Sequence, residues 1–297
     1  MASPSVSPYA APILAWYAAS ARDLPWRQPG TSAWAILVSE IMLQQTPVAR
    51  VLPAYAAWTA RWPTPAALAA DRPADAVRQW DRLGYPRRAV RLHAIAATLV
   101  ARHGGQVPAS TEELAALPGI GPYTAAAVAS FAFRQRHAVL DTNVRRVLAR
   151  LVTGVALPPA ATTAAERRLA ESLLPATDDL AARWAVAVME LGALICTAAR
   201  PACAACPVAA QCAWRKAGQP APAARRAAPG YAGSDRQCRG RLLAVLRAAD
   251  GPVPAARLDP AWDDSGQRAR ALAALIADGL VTASRDGCYA LPGESGA

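Results

Sequence analysis

Leu117-Pro118-Gly119-Ile120-Gly121-Pro122-Tyr123-Thr124 opens the stretch that decides how this chain folds. A glycine-pinched turn runs straight into an apolar, alanine-rich segment reaching about Phe133, so a tight turn feeding a helix is expected. Gly119 and Gly121 let the backbone turn sharply and lie close to a ligand. The first N–H groups of the helix point outward at the positive end of its dipole, which makes the turn a seat for a phosphate. About twenty residues later, Val139-Leu140-Asp141-Thr142-Asn143-Val144-Arg145-Arg146 sets one acid between apolar residues and paired arginines. Taken singly, the turn is any Gly-x-Gly loop and Asp141 any helix N-cap, with Thr142 and Asn143 as further cap candidates. Taken together, they mark Asp141 as a functional acid near an anion-binding turn.

The chain's 297 residues, 54% of them hydrophobic, can fill one large and one small domain or two medium ones, and exclude a disordered protein. A formal net charge of +11 favours a polyanionic partner through counterion release, nucleic acid ahead of a membrane surface. Lys216 is the only lysine, so the charge is carried by arginine, the better planar fork for phosphate oxygens; a GC-rich genome gives the same bias. Met1 to Tyr9 holds no basic region followed by an apolar core, and no apolar run approaches the roughly 20 residues that span a bilayer. A cytoplasmic protein is expected. Of six cysteines, four lie between Cys196 and Cys212, a clustering that suggests metal ligation rather than disulfides in a reducing compartment, while Cys238 and Cys288 are expected only to pack.

Along the chain, an amphipathic helix is expected from about Pro8 to Ala21, stopped before Pro25 in Arg22-Asp23-Leu24-Pro25-Trp26-Arg27. Ala33 to Leu43 reads as a second helix in which Glu40 is bracketed by Ile36, Leu37, Val38, Ile41, Met42 and Leu43. A surface glutamate is the ordinary reading, yet a carboxyl among apolar neighbours has its pKa raised, as a general acid requires. Gln44-Gln45-Thr46-Pro47 then presents polar side chains at the helix end. From Thr46 to Arg102 the pattern is helical, broken at Pro63-Thr64-Pro65, at Pro73, and at Leu83-Gly84-Tyr85-Pro86-Arg87-Arg88, where an aromatic ring beside two arginines suits stacking on a base while gripping its backbone. A short helix from Thr111 leads into the glycine turn, and helices resume near Ala164 to Leu174 and Leu180 to Ile195.

Six, two and five residues separate Cys196, Cys203, Cys206 and Cys212. Four thiolates so close can wrap one metal centre, and zinc and a four-iron cluster both accept four cysteines. Residues 216–236 read as a Pro/Gly/Ala-rich linker between a 1–215 domain and a 237–297 domain. In the latter, helices are expected at Arg239 to Ala249, Pro254 to Trp262 and Gly266 to Gly279, with a hairpin over Val281 to Leu291 turning at Asp286-Gly287. That order suggests a winged helix, but its third helix offers only Arg268 and Arg270 to a groove, so docking to a protein partner is as well supported as DNA reading.

These motifs together resemble the helix-hairpin-helix DNA glycosylases related to endonuclease III, and among them the adenine glycosylases. The similarity runs from about Arg22 to Trp214, through Arg22 to Arg27, Val38 to Thr46, Leu83 to Tyr85, the hairpin, Val139 to Arg146 and the cysteine loop. It implies a mostly α, two-lobed domain with double-stranded DNA held between the lobes, and a [4Fe-4S] cluster on Cys196, Cys203, Cys206 and Cys212. It also implies a monomer at the bacterial nucleoid and no membrane partner. By resemblance, Glu40 protonates adenine N7, Asp141 stabilises the sugar cation and Asn143 orients Asp141. Tyr123 stands where bifunctional relatives place a lysine nucleophile. Gln45 and Tyr85 resemble residues that wedge into the gap left by the everted base. Thr46, Arg88, Gly119, Gly121 and Thr124 would contact DNA, and Arg22, Leu24, Trp26, Arg27, Leu43, Val48 and Val186 would line the base pocket. The chemistry needs one neutral and one charged carboxyl, which apolar surroundings at Glu40 and polar ones at Asp141 would supply. With Lys216 as the sole lysine, a Schiff-base lyase has almost no candidate amine, and base removal without strand cutting is expected.

Two departures stand out. Val186, four positions before Glu190, replaces an amide or acid that relatives place in the adenine pocket. No Nudix-like C-terminal domain of the kind with which many relatives read 8-oxoguanine is expected, since about sixty residues of winged-helix-like sequence follow the linker. A thymine-mismatch glycosylase of the same superfamily and a non-catalytic iron–sulfur DNA-binding regulator stand as alternatives.

Overall fold

The computed structural model describes residues 7–222 and 230–294, so residues 223–229 of the expected linker lie outside the described residues. The chain divides into two compact units: Met1–Ile36, Ala109–Ala116 and Ile120–Arg225 form one, and Leu37–Pro108, Leu117–Gly119 and Arg226–Ala297 the other. The C-terminal segment is thus compact with residues 37–108.

Ala10–Ser20 forms α1, Ala33–Leu43 α2, Val48–Arg61 α3, Pro65–Ala70 α4, Pro73–Trp80 α5 and Arg87–His103 α6. The breaks fall at the prolines for a local reason. Thr64 Oγ1 accepts from the Ala67 N–H and Pro65 takes the first helical position, where its missing N–H costs nothing. Pro73 does the same for α5, with Asp75 accepting from the Arg72 N–H. Trp58, Trp62 and Trp80, all fully buried, meet edge-on at centroid distances of 4.6 and 5.5 Å and knit α3 to α5.

Thr111–Ala115 forms α7, capped by Ser110, and Pro122–Phe133 forms α8. Thr142–Leu148 is α9, extended by a π-helical turn over Ala149–Thr153 that ends at Gly154. Ala164–Ser172 is α10, opened by a Thr163/Glu166 capping box, and Asp178–Leu194 is α11. Ile13, Val144, Val147, Leu148, Trp184 and Leu191 join α1, α9 and α11 in one core. Ala213–Lys216 is α12.

At the C-terminus, Asp235–Ala248 is α13 and Ser265–Ala277 is α14. The short helix expected over Pro254 to Trp262 is instead a strand, β1 (Val253–Pro254), followed by two 3-10 turns, Ala255–Arg257 and Asp259–Ala261. The prolines at 254 and 260 leave no uninterrupted turn of N–H donors for an α-helix. β2 (Thr282–Ala283) and β3 (Cys288–Ala290) form the expected hairpin, and β1 completes a three-stranded antiparallel sheet in the order β1-β3-β2. Pro254 sits on an edge strand, where a missing donor is tolerated. Among the described residues, no helix is long and apolar enough to cross a membrane.

Candidate active site and cysteine loop

Asp141 is the N-cap of α9, and its Oδ1 accepts from the Val144 N–H at 2.6 Å. Its Oδ2 accepts from the Asn143 amide at 2.8 Å, and Asn143 Oδ1 in turn accepts from Arg146 Nη2 at 2.8 Å. Arg146 continues inward to the carbonyls of Gly192 at 2.6 Å and Cys196 at 2.7 Å. The bland reading of Asp141 as a cap and the functional one therefore hold together: capping fixes one oxygen, and the Asn143 amide holds the other. The polar setting expected there is present but outweighed, since burial pushes the carboxyl above its usual range despite the Val144, Asn143 and Arg146 groups that favour its charge. Gly192 lets α11 lie against α9, because a Cβ there would sit 2.7 Å from Asn143 Cβ. Arg145 pairs with Glu166 at 2.8 Å, so both arginines of the motif, each 8% exposed, are spent inside the protein.

Glu190 is the residue that sequence reading passed over, using it only as a landmark for Val186. It is fully buried on α11, and Arg22 and Arg27 converge on it: Arg22 Nε and Nη2 at 2.7 Å each, the Arg22 N–H at 3.1 Å and Arg27 Nη2 at 2.9 Å. Burial alone would raise its pKa, but the two guanidinium groups bring it down to about 2. Arg27 Nη1 is buried with no hydrogen-bond partner, a donor left over for an incoming acceptor. Leu24 and Trp26 are buried beside these arginines in the chain, and Val186 is half-buried one turn before Glu190. An acid within an apolar helix was the signal, the same one that singled out Glu40.

In the other unit, Glu40 is 5% exposed on α2 beside buried Leu37, Val38, Ile41 and Met42. Leu43 and Val48 are half-buried. Gln45 is exposed, and its φ of +56° is unusual for a residue with a side chain. Tyr85 shares that conformation at +49° and is 51% exposed. Arg88 corrects its expected role as a grip on DNA. It is 4% exposed, stacks under the Tyr85 and Trp80 rings, and donates to Met42 O (2.8 Å), Gln44 O (2.7 Å), Gly84 O (2.9 Å) and Thr46 Oγ1 (2.9 Å). Burial lowers its pKa to about 10. Arg88 ties the Tyr85 loop to the end of α2, and the neighbouring Arg87 remains exposed.

In the hairpin, Gly119 has φ +72° and packs so closely on Arg91 that a Cβ would come within 2.9 Å of its Cδ. Gly121 is extended, caps α8, and has open space where a side chain would stand, so only Gly119 needs to be glycine for the turn. Thr124 is buried, and the half-buried Tyr123 ring packs on Ala127, Val139 and Ala185.

Cys196 follows α11, Cys203 opens a 3-10 turn, Cys206 closes it and Cys212 caps α12. The π-helical turn after α9 aims Arg150 at this loop, where it donates to Cys196 Sγ at 3.4 Å and Thr197 O at 2.7 Å and stacks on Trp214. Gln219 Nε2 donates to Cys203 Sγ at 3.4 Å. The thiols sense one another: burial raises Cys196 and Cys206, and the charges of the other cysteines add to that rise. Among the described residues, no group of three or more His, Cys, Asp or Glu side chains is placed to hold a metal ion. None of the six cysteines is in a disulfide.

Residues 38–174 match the HhH-GPD superfamily of base excision DNA repair proteins. The chain is 54% identical over 284 residues to an adenine DNA glycosylase of Mycobacterium tuberculosis (strain ATCC 25618 / H37Rv), an alignment covering 95% of this chain and 93% of that protein. It superposes with a TM-score of 0.64 on the solved structure of a thermostable thymine-DNA glycosylase, at 27% identity, over 70% of this chain and 95% of that one. A trapped endonuclease III–DNA covalent intermediate shares the fold, with a TM-score of 0.60 at 20% identity over 71% of this chain and 96% of that one. The chain therefore belongs to the adenine DNA glycosylases of the HhH-GPD superfamily.

Proposed function

We propose that this protein removes adenine mispaired with 8-oxoguanine or guanine in double-stranded DNA, by hydrolysis of the N-glycosidic bond without strand cleavage. Family membership supports adenine as the base. The observation that carries the mechanism is the Asp141 carboxylate, half-buried and held by Val144 and Asn143 on one oxygen each. Adenine leaves poorly as an anion. Glu40, buried on α2, donates a proton to the purine ring, and the bond breaks toward an oxocarbenium-like sugar. A desolvated carboxylate at Asp141 is costly by itself and correspondingly strong toward that cation. Arg27 Nη1, buried without a partner, suits an acceptor nitrogen of the base, and Glu190 holds Arg27 and Arg22 in place for it. Gln45 and Tyr85 fill the gap that eversion leaves. Tyr123 in place of an amine leaves Lys216 as the only lysine available for a Schiff base.

Although these side chains are not placed to hold a single metal ion, four cysteines in one short loop are the donor set of a [4Fe-4S] cluster, which Cys196, Cys203, Cys206 and Cys212 would hold. An all-sulfur donor set, with Arg150 and Gln219 donating to its sulfurs, is the setting such clusters occupy. When bound, the cluster would cross-link a loop that has little regular structure of its own. We take the protein to act as a monomer at the nucleoid of the bacterial cytoplasm, where a net charge of +11 favours DNA.

The test is to incubate the protein with duplexes holding adenine opposite 8-oxoguanine, adenine opposite guanine, and thymine opposite guanine. Adenine is expected from the first two, strand breaks only after alkali, and no adduct after borohydride. Thymine release would assign it to the sister activity, release of no base would favour a DNA-binding regulator, and a borohydride-trapped adduct would end the monofunctional reading. Visible absorbance and iron analysis decide the cluster.

A further inference from the structure

The loop between α5 and α6 is held in an unfavourable shape. Asp81 has φ +41°, Gly84 +94° and Tyr85 +49°. Residues with side chains keep such conformations only where their surroundings over-determine them. Part of that restraint is internal, since Trp80 Nε1 and Arg88 Nη2 both donate to Gly84 O, at 2.8 and 2.9 Å. The rest comes from the C-terminal domain. Arg247, near the end of α13, donates to the carbonyl of the strained Asp81. Arg78, in the last turn of α5, donates to Ala249 O at 2.6 Å and pairs with Glu294 at 2.5 Å. Past the loop, Arg87 at the start of α6 pairs at 3.2 Å with Asp278, which is also held by Arg239. Both ends of the loop are therefore anchored to the last sixty or so residues, and its exposed tip is Tyr85. The Arg87 pair is half solvated and weak alone. Arg78 and Arg247, engaging backbone carbonyls, are the stronger ties.

We infer that the C-terminal domain is a brace that fixes the 81–88 loop in the shape with which Tyr85 enters DNA, so that this domain governs base eversion rather than bond cleavage. The α14 side chains agree with this role better than with groove reading: Arg268 is spent on Asp259 at 2.8 Å and on the Trp262 carbonyl. Through Arg88, which donates to Gly84, Thr46 and the end of α2, the same brace reaches the second strained residue, Gln45. The inference rests on the reading above in taking Tyr85 as the wedge, and its test is separable from that reading.

In the full-length protein, Arg247→Met and Arg78→Met each remove one of the stronger ties. Hydrogen exchange should rise at the amides of residues 82–85 while the interiors of α5 and α6 keep wild-type protection. With 2-aminopurine beside the target adenine, the eversion signal should fall, and excision from an intact mispair should drop about tenfold. Excision from a duplex lacking the opposite base, where no pairing holds the adenine against eversion, should be nearly unchanged. Combining either variant with Tyr85→Ala should add no further loss, since both act on one step. Unchanged exchange at 82–85 in both variants, or fully additive losses with Tyr85→Ala, would overturn the brace. If the wild-type protein releases no adenine from any duplex, the proposed activity fails instead, and the exchange measurement still decides the brace.

Discussion

Asn143 donates its side-chain amide to Asp141 Oδ2 at 2.8 Å while its own carbonyl oxygen accepts from Arg146 at the same distance. The amide is thus fixed in orientation, with N toward the acid and O toward the guanidinium, and Arg146 is anchored on the Cys196 carbonyl at 2.7 Å. Losing the anchor should misplace the carboxylate without removing it. Asn143→Leu and Arg146→Met are each expected to slow single-turnover excision by about 10- to 100-fold, with Kd for mispaired DNA within a few-fold of wild type. Gly192→Ala attacks the same contact from behind, because its Cβ would sit 2.7 Å from Asn143 Cβ. Wild-type excision in all three would show that Asp141 needs no such support.

The raised pKa of Asp141 makes it a liability for folding. A carboxyl whose folded pKa lies above its ordinary 3.8 destabilises the fold wherever it is ionised there. The penalty is fully present above the folded pKa and gone below 3.8. Asp141→Asn keeps a cap acceptor and loses the charge. It should therefore melt at a higher temperature than wild type near neutrality, with the gap closing as pH falls toward 3.8, while excising no adenine and still binding DNA. Glu40→Gln should also be inactive and bind. An Asp141→Asn protein less stable than wild type at neutral pH would show that the carboxylate's hydrogen bonds outweigh its burial.

What the sequence made legible is what local chemistry controls. Ala33–Leu43 forms a helix within its predicted bounds because apolar periodicity and the downstream Pro47 specify it locally, and Asp141 caps α9 because its acceptor lies three residues from the N–H it needs. What stayed hidden depends on distant partners: Arg22 meets Glu190 across 168 positions, and Arg88 buries its charge against carbonyls more than 40 positions away. An arginine written beside an exposed tyrosine reads as a DNA contact until its acceptors are known. The strand at Val253–Pro254 was missed because two residues carry no periodicity and only the β3 partner reveals them.

Glu190 stabilises the fold in the opposite sense to Asp141. Its carboxyl, held at about 2 by Arg22 and Arg27, lies below its ordinary 4.5, so its contribution is fully present above pH 4.5 and is lost as pH falls toward 2. The shift corresponds to about 3 kcal/mol at neutrality. Glu190→Ala leaves two guanidinium groups without their shared anion and should cost about 3–5 kcal/mol in urea unfolding. Glu190→Gln should be milder, and its deficit against wild type should shrink as pH is lowered from 4.5 toward 2. A pH-independent deficit would mean that the amide loses packing rather than charge.

Arg200, Arg215 and Lys216 are exposed around the cysteine loop, and no ion pair or hydrogen bond ties their side chains to an acid among the described residues. A solvated face and a phosphate-binding face look alike in the absence of DNA, but they differ in salt dependence. Each phosphate neutralised releases condensed counterions and contributes roughly 0.9 to the slope of log K against log salt. If these side chains hold DNA, the Arg200→Ala/Arg215→Ala/Lys216→Ala protein should bind duplex more weakly, with a slope shallower by about two to three. The loss should be uniform across mispairs, since phosphate contacts carry no sequence information. An unchanged slope in filter-binding or anisotropy titrations would leave them as solvated charge and place the DNA-binding arginines elsewhere, Arg87 and Arg91 on α6 being next in line because both are exposed and Arg91 lies against Gly119 of the hairpin.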